Sequence, residues 1–265
     1  MPETFLITGG SSGIGLALAH HAAKAGHRLI LAALPGQELE DAERSFRASY
    51  PGIDLHLCPT DLTRPKGPDE VYAFTQSRHL DVDVLVNNAG VGTWGRLHTL
   101  DPEKEVKMIE LNILALYKLT RLYLTPMQER QAGHILFIAS IAAFQPNPYM
   151  ATYGATKAFV RSFGLALYHE LKDQGSAVRV TTVCPPAIPT AFQRVAGMER
   201  SALFSGWLAS DVASVAAAVW KGYQQKSPQV IPSRLLSFLQ PFIRLLPESW
   251  SIWMARRTLR QNLPE

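Results

Sequence analysis

Short, unbroken apolar runs recur along this chain, and a stretch of helical character follows nearly every one. TFLIT (4–8), RLILAA (28–33), IDLHLC (53–58), DVLV (83–86), HILFIA (134–139), VRVTTV (178–183) and a last short run at 229–231 read as strands. Helices are expected at 16–27, 37–49, 69–79, 102–130, through residue 153, and at 211–223. Strands that alternate with helices over short loops pair in parallel, with the helices as crossovers. Runs that are apolar on both faces need cover on both faces. The expected class is therefore α/β, a doubly wound parallel sheet. No repeat, low-complexity tract or linker divides it.

A chain of 265 residues, 47% apolar and 18% charged, has enough material for a large core and is not a disordered chain. The net charge is +4, and residues 234–260 hold five arginines and one glutamate, 5 − 1 = +4, so the whole excess lies in the tail. A basic excess confined to a hydrophobic tail gives no support to nucleic-acid binding. Cys58 and Cys184 stand alone, so neither a zinc cluster nor a disulfide framework is expected, and no metal site is assigned. The start, MPETFLIT, carries no basic region or cleavage pattern, and no run reaches membrane-spanning length. A cytoplasmic location is the expectation.

The turn after the first strand reads TGGSSGIG, residues 8–15. A glycine-rich strand-to-helix turn is where a dinucleotide pyrophosphate binds, because helix N-terminal amides are unpaired and the dipole end is positive. Gly9 and Gly15 are expected to let the backbone come close, with Gly13 at the helix entry. Gly9 to Gly13 also satisfy G-x-S-x-G, the nucleophile elbow of serine hydrolases. That remote alternative lacks an Asp-then-His pair on later strands.

Four further features follow in order: NNAG at 87–90, Asn112 within IELNILALY, Ser140 past the fifth strand, and Tyr153 with Lys157 in ATYGATKAF. Together with T-G-x-x-x-G-x-G they resemble the short-chain dehydrogenase/reductase family in its single-domain form, over about the first 230 residues. The resemblance implies a Rossmann-like catalytic domain, taken as residues 1–232, with residues 233–265 as a short helical tail packed on it. Tyr153 and Lys157, four apart, share a helix face. An adjacent ammonium is expected to lower a phenol that otherwise titrates near 10. The resemblance implies that Tyr153 exchanges a proton with the substrate oxygen and that Lys157 also holds the nicotinamide ribose. It implies that Ser140 orients the substrate oxygen and that Asn112 helps hold a water in a proton relay. It further implies cofactor contacts from Gly9, Ser11, Ser12, Gly13, Ile14, Gly15, Asp61, Leu62, Asn88, Ala89, Gly90, Pro185, Ile188 and Thr190. Asp61 is expected to accept from the adenine amine, or else to be a plain turn aspartate.

Two departures stand out. After the sixth strand the family usually has Pro-Gly, whereas this chain reads CPPAIPT (184–190), with Pro186 in place of the glycine. Proline cannot take positive φ, so this loop should be stiffer. The second strand ends Ala32-Ala33-Leu34-Pro35, without the acidic residue that selects NAD. Ser11 and Ser12 remain as donors to a 2′-phosphate, which favours NADP(H) over NAD(H).

The expected substrate walls are Trp94, Phe144, Tyr149, Met150, Phe192, Met198, Phe204 and Trp207, a set suited to a lipid- or steroid-like carbonyl or secondary alcohol with one polar anchor. The alternative function is a non-catalytic dinucleotide-binding redox sensor. The tail mixes arginines with Leu235, Phe238, Trp250, Trp253 and other large apolar residues, broken at Pro241 and Pro247. It is read first as packing, with peripheral membrane contact as the second reading. Family relatives commonly assemble through the helices near Asn112 and Tyr153, which implies a homodimer or homotetramer acting on a small-molecule substrate.

Overall fold

The computed structural model describes residues 2–189, 192–193, 196–198, 210–243, 247–261 and 263. Thr190, Phe204 and Trp207 lie outside the described residues. The described strands are β1 (Thr4–Thr8), β2 (Arg28–Ala33), β3 (Leu55–Pro59), β4 (Val84–Asn87), β5 (His134–Ile138), β6 (Arg179–Val183) and β7 (Gln229–Val230). They form one parallel sheet in the order β3-β2-β1-β4-β5-β6-β7. The order reverses between β1 and β4, and a crevice opens at such a switch point beyond the carboxyl ends of the strands.

Alternation within the strands sorts the core into two layers. Leu6, Ile30, Leu85, Ile135 and Phe137 face one side, against α3 (Gly67–Ser77), α5 (Leu116–Glu129) and α6 (Ala151–Asp173). Phe5, Ile7, Leu29, Leu31, Val84 and Val86 face the other, against α1 (Gly13–Lys24), α2 (Gln37–Ser49) and α7 (Val212–Gln224). Both faces are thus covered, which is why the middles of the central strands are apolar runs such as FLI and LILA.

The helix expected over 102–130 is not continuous. α4 (Pro102–Ile109) gives way to a widened π-type turn, Glu110–Ala115, before α5 begins. Such widened turns often mark functional positions, and this one contains Asn112. The tail forms α8 (Arg234–Ile243) and α9 (Glu248–Leu259). α8 runs through Pro241 to Ile243, so the break expected at that proline does not fall there.

Candidate active site

One cavity of about 1550 Å³ runs across the carboxyl ends of the strands, from α2 past the glycine-rich turn to α6 and the tail helices. Gly9, Ser11, Ser12, Gly13 and Ile14 line it. Gly9 and Gly13 have φ of 62° and 54°, a region that favours glycine. Ser12 caps α1 without a side-chain hydrogen bond, and the first turn holds no acidic residue. The leading amides of α1 are therefore not taken up by a capping side chain, and their positive end meets the cavity. This cradle fits a pyrophosphate.

Gly15 has a different place from the one expected. It does not line the cavity; a Cβ there would lie 2.4 Å from the Gly9 carbonyl oxygen and 2.5 Å from Asn88 Nδ2. Its missing side chain lets α1 press against the turn and β4. The turn is then tied by side chains. Thr8 Oγ1 accepts from the Asn88 and Ala89 amides, each at 3.0 Å, and Asn88 Nδ2 donates to Thr8 O at 2.9 Å and Gly9 O at 3.2 Å. Asn88, Ala89, Gly90, Asp61 and Leu62 line the cavity as expected, and so do Pro185 and Ile188. Asp61 Oδ1 accepts from the Thr63 amide and hydroxyl at 2.9 and 2.7 Å, so it braces its own turn at the adenosine end. Glu38 also lines this end. No acid opposing a phosphate stands at the end of β2, because Glu38 belongs to the next helix.

At the centre stand Ser140, Tyr153 and Lys157, with relative exposures of 9%, 8% and 6%. Ser140 Oγ accepts from the Ala142 amide at 3.1 Å, capping the short turn Ile141–Phe144. Lys157 Nζ donates to the Ile138 carbonyl at 2.9 Å and lies 6.0 Å from the centre of the Tyr153 ring. Burial pushes the Tyr153 phenol up to about 12, and the Ser140 hydroxyl beside it pulls partly back. Burial likewise lowers the Lys157 ammonium to about 8, opposed by the nearby Cys184 thiol. The lowering expected from the Lys157 ammonium is not among the influences on the phenol, whose upward shift comes from desolvation.

Asn112 Oδ1 accepts from the Val91 amide at 3.0 Å, while Nδ2 donates to Val91 O at 2.9 Å and to Thr156 Oγ1 at 3.0 Å. A Cβ on Gly90 would stand 3.1 Å from Asn112 Oδ1 and 3.2 Å from Lys157 Nζ. Gly90 thus leaves open the space that Asn112 and Lys157 share. Two supports were not read from the sequence. Glu105, buried on α4, accepts from the hydroxyls of Thr93 and of Thr152, the residue before Tyr153. Asn147 Nδ2 donates to Ala142 O at 2.8 Å and Gln145 O at 2.6 Å, and a Cβ at Gly154 would lie 2.5 Å from it. Neither belongs to a motif, and their partners are distant side chains or loop carbonyls.

Beyond the tyrosine, Phe144, Met150, Phe192 and Met198 line the cavity. Phe192 lies with its ring centre 5.3 Å from that of Tyr153, over Gly92, where a Cβ would come within 2.5 Å of it. Trp94, expected in the wall, is buried behind it and donates from Nε1 to Leu259 O at 2.9 Å. Tyr149 does not line the cavity either; its φ of 68° turns the chain into α6. Leu236 and Leu239 of α8, with Ser251, Met254, Ala255 and Leu259 of α9, complete the wall. The tail is thus part of the cavity, a placement no local pattern announces.

The profile of the family described as short chain dehydrogenase matches residues 3–200. A Drosophila melanogaster dehydrogenase/reductase SDR family protein 7-like is 29% identical over 97% of this chain and 81% of its own length. The mouse very-long-chain 3-oxoacyl-CoA reductase is 31% identical over 73% of this chain and 62% of its own. A short-chain dehydrogenase from Sphingobium yanoikuyae, solved in complex with NADPH, superposes with a TM-score of 0.82 at 28% identity, covering 100% of this chain and 97% of that one. A bulky-bulky ketone specific alcohol dehydrogenase from Comamonas testosteroni superposes with a TM-score of 0.75 at 26% identity, over 100% and 96% of the two chains. A match through most of the sequence and a fold shared along its whole length agree: this chain belongs to the short-chain dehydrogenase/reductase family and is an NAD(P)-dependent oxidoreductase.

Proposed function

We propose that this enzyme reduces bulky, hydrophobic ketones with NADPH, in a reversible exchange with the secondary alcohols. The observation that carries the reading is the placing of Ser140, Tyr153 and Lys157 where the glycine-lined arm of the cavity meets its apolar arm. The bound nicotinamide supplies the hydride to the carbonyl carbon. Tyr153, held protonated by burial, donates its phenolic proton to the oxygen as charge develops there. The Ser140 hydroxyl donates to the same oxygen and holds it in line. Lys157, cationic at neutral pH, holds the ribose hydroxyls and, with Asn112, leads to the route by which Tyr153 is reprotonated. Ser11, Ser12, Gly13 and Ile14 would hold the pyrophosphate and ribose, and Asp61 and Leu62 would flank the adenine.

NADP(H) is favoured because Ala33 ends β2 and Ser11 and Ser12 stand in the cavity, against the opposing charge of Glu38. The apolar walls, and the resemblance to a bulky-ketone dehydrogenase and to an acyl-chain reductase, support a lipid- or steroid-like ligand. Val106, Ile109, Leu114 and Tyr117, between 38% and 54% exposed on α4, the widened turn and α5, support a homodimer or homotetramer through that face. Two buried free cysteines suit a cytoplasmic setting, and no described helix is long and apolar enough to cross a membrane. The hydrolase alternative is set aside: among the described residues no histidine lines the cavity to serve Ser11 as a base.

The test is Tyr153→Phe against a panel of ketones. Turnover should fall about 10²–10⁴-fold, the usual worth of a positioned acid, while NADPH affinity is kept. A wild type that binds NADPH yet reduces nothing in a broad panel, or reduces only small charged keto acids, would refute this reading; the first result would favour the redox sensor.

A further inference from the structure

The described surface holds two apolar patches, and they differ in charge. On α4 and α5, Val106, Ile109, Leu114 and Tyr117 stand among Glu103, Lys104, Lys107 and Glu110, so the signs balance. On α8 and α9, Leu235, Phe238, Trp250, Trp253 and Met254 are 50%, 68%, 63%, 54% and 40% exposed. Beside them Arg256, Arg257 and Arg260 are exposed, with Glu248 as the acidic residue of α9. The Arg257 guanidinium lies 5.6 Å from the centre of the Trp253 ring. Leu236, Leu239, Ser251, Ala255 and Leu259 of the same helices line the cavity, and Glu248, Trp253, Met254 and Arg257 of the patch border it too, so the patch reaches the rim of the cavity.

We propose that the outer face of α8 and α9 docks this enzyme on an anionic lipid surface, with the cavity directly behind the docked helices. The charge balance selects the occupant. A second copy of the chain would bring arginines against arginines across a two-fold axis, whereas anionic headgroups complement them. Tryptophan and arginine beside large aliphatic groups are what the boundary between acyl chains and headgroups takes up. The two-helix arrangement gives the docking a use: a ligand partitioned in the bilayer reaches the apolar arm past side chains of Leu236, Leu239 and Met254. That use, though not the docking, rests on the hydrophobic-substrate reading above.

The experiment is co-sedimentation of the full chain with vesicles of phosphatidylcholine, with and without phosphatidylglycerol, read also by the blue shift of tryptophan emission. Wild type should bind only the anionic vesicles. Arg256→Glu with Arg260→Glu should weaken that binding by at least roughly 30-fold, the loss of two surface arginines alone, with the repulsion of the new carboxylates adding to it. Leu235→Ser with Trp250→Ser should abolish the blue shift. None of these four residues lines the cavity, so turnover of a water-soluble aryl ketone should persist, which also shows that the variants fold. Should the arginine pair unfold, Arg256→Gln with Arg260→Gln serves in its place. Wild type that ignores anionic vesicles, variants that bind undiminished, or variants that instead change the oligomeric state would each overturn the proposal. Intact vesicle binding in a protein that reduces no ketone would uphold the docking and refute the substrate reading.

Discussion

At the cofactor end of the cavity, residues 9–13 carry nothing larger than serine, and their positions are set by backbone and by short hydrogen bonds from Thr8 and Asn88. At the substrate end, Phe192, Met150, Met198 and the tail helices meet from segments up to 165 positions apart, as Trp94 and Leu259 do. The first arrangement tolerates almost no added atom. The second is made of side chains that can exchange shape. The difference follows from the ligands: a pyrophosphate has one geometry to be matched by amides, while an apolar body needs only volume and dryness.

Tyr153→Phe, at the seam, should have the largest effect, silencing chemistry while leaving both ends in place. Next comes Gly15→Ala. Its methyl would meet backbone oxygen at 2.4 Å, so α1 must shift. Such overpacking costs about 1–3 kcal/mol. Thermal unfolding should move down, and NADPH affinity should fall with it. Unchanged affinity would show the cofactor end to be more pliable than argued.

Trp94→Phe acts at the other end. It removes the hydrogen bond to Leu259 while keeping most of the buried ring. The loss of about 0.5–1.5 kcal/mol should loosen α9, raising KM for bulky ketones by up to about tenfold with NADPH affinity unchanged. An equal change in both constants would erase the distinction between the ends. The smallest effect is in pH. Lys157 is cationic below about 8 and loses its proton above it. NADPH affinity should therefore be level toward pH 7 and weaken as pH rises through about 8, a trend that Lys157→Met should flatten.

Much of this is legible in the amino-acid sequence. Strand runs apolar on both faces can only be buried between two layers of helices, so the parallel sheet followed from composition and order. Ser140, Tyr153 and Lys157 were legible as candidates because their order and spacing match the family pattern, which implies their roles. Asn112 was found, but not the widened turn that carries it, since hydrogen-bond register leaves no mark in residue type. Gly15 was found and its function misplaced, because a missing side chain does not say which neighbour needs the room.

The sequence by itself determined the sheet and the glycine-rich turn, because these rest on local periodicity and on backbone geometry that particular residues permit, and its resemblance to the family singled out Ser140, Tyr153 and Lys157 as the candidate reacting groups. Only the tertiary structure decided that Trp94 anchors α9, that Glu105 grips the residue before Tyr153, that Glu38 shares the adenosine end, and that the tail walls the cavity. The physical reason is that each depends on contact between segments far apart in the chain. The setting of Tyr153 belongs to this second class too: a lysine one helical turn away suggested a lowered phenol, whereas burial in the assembled cavity pushes it up.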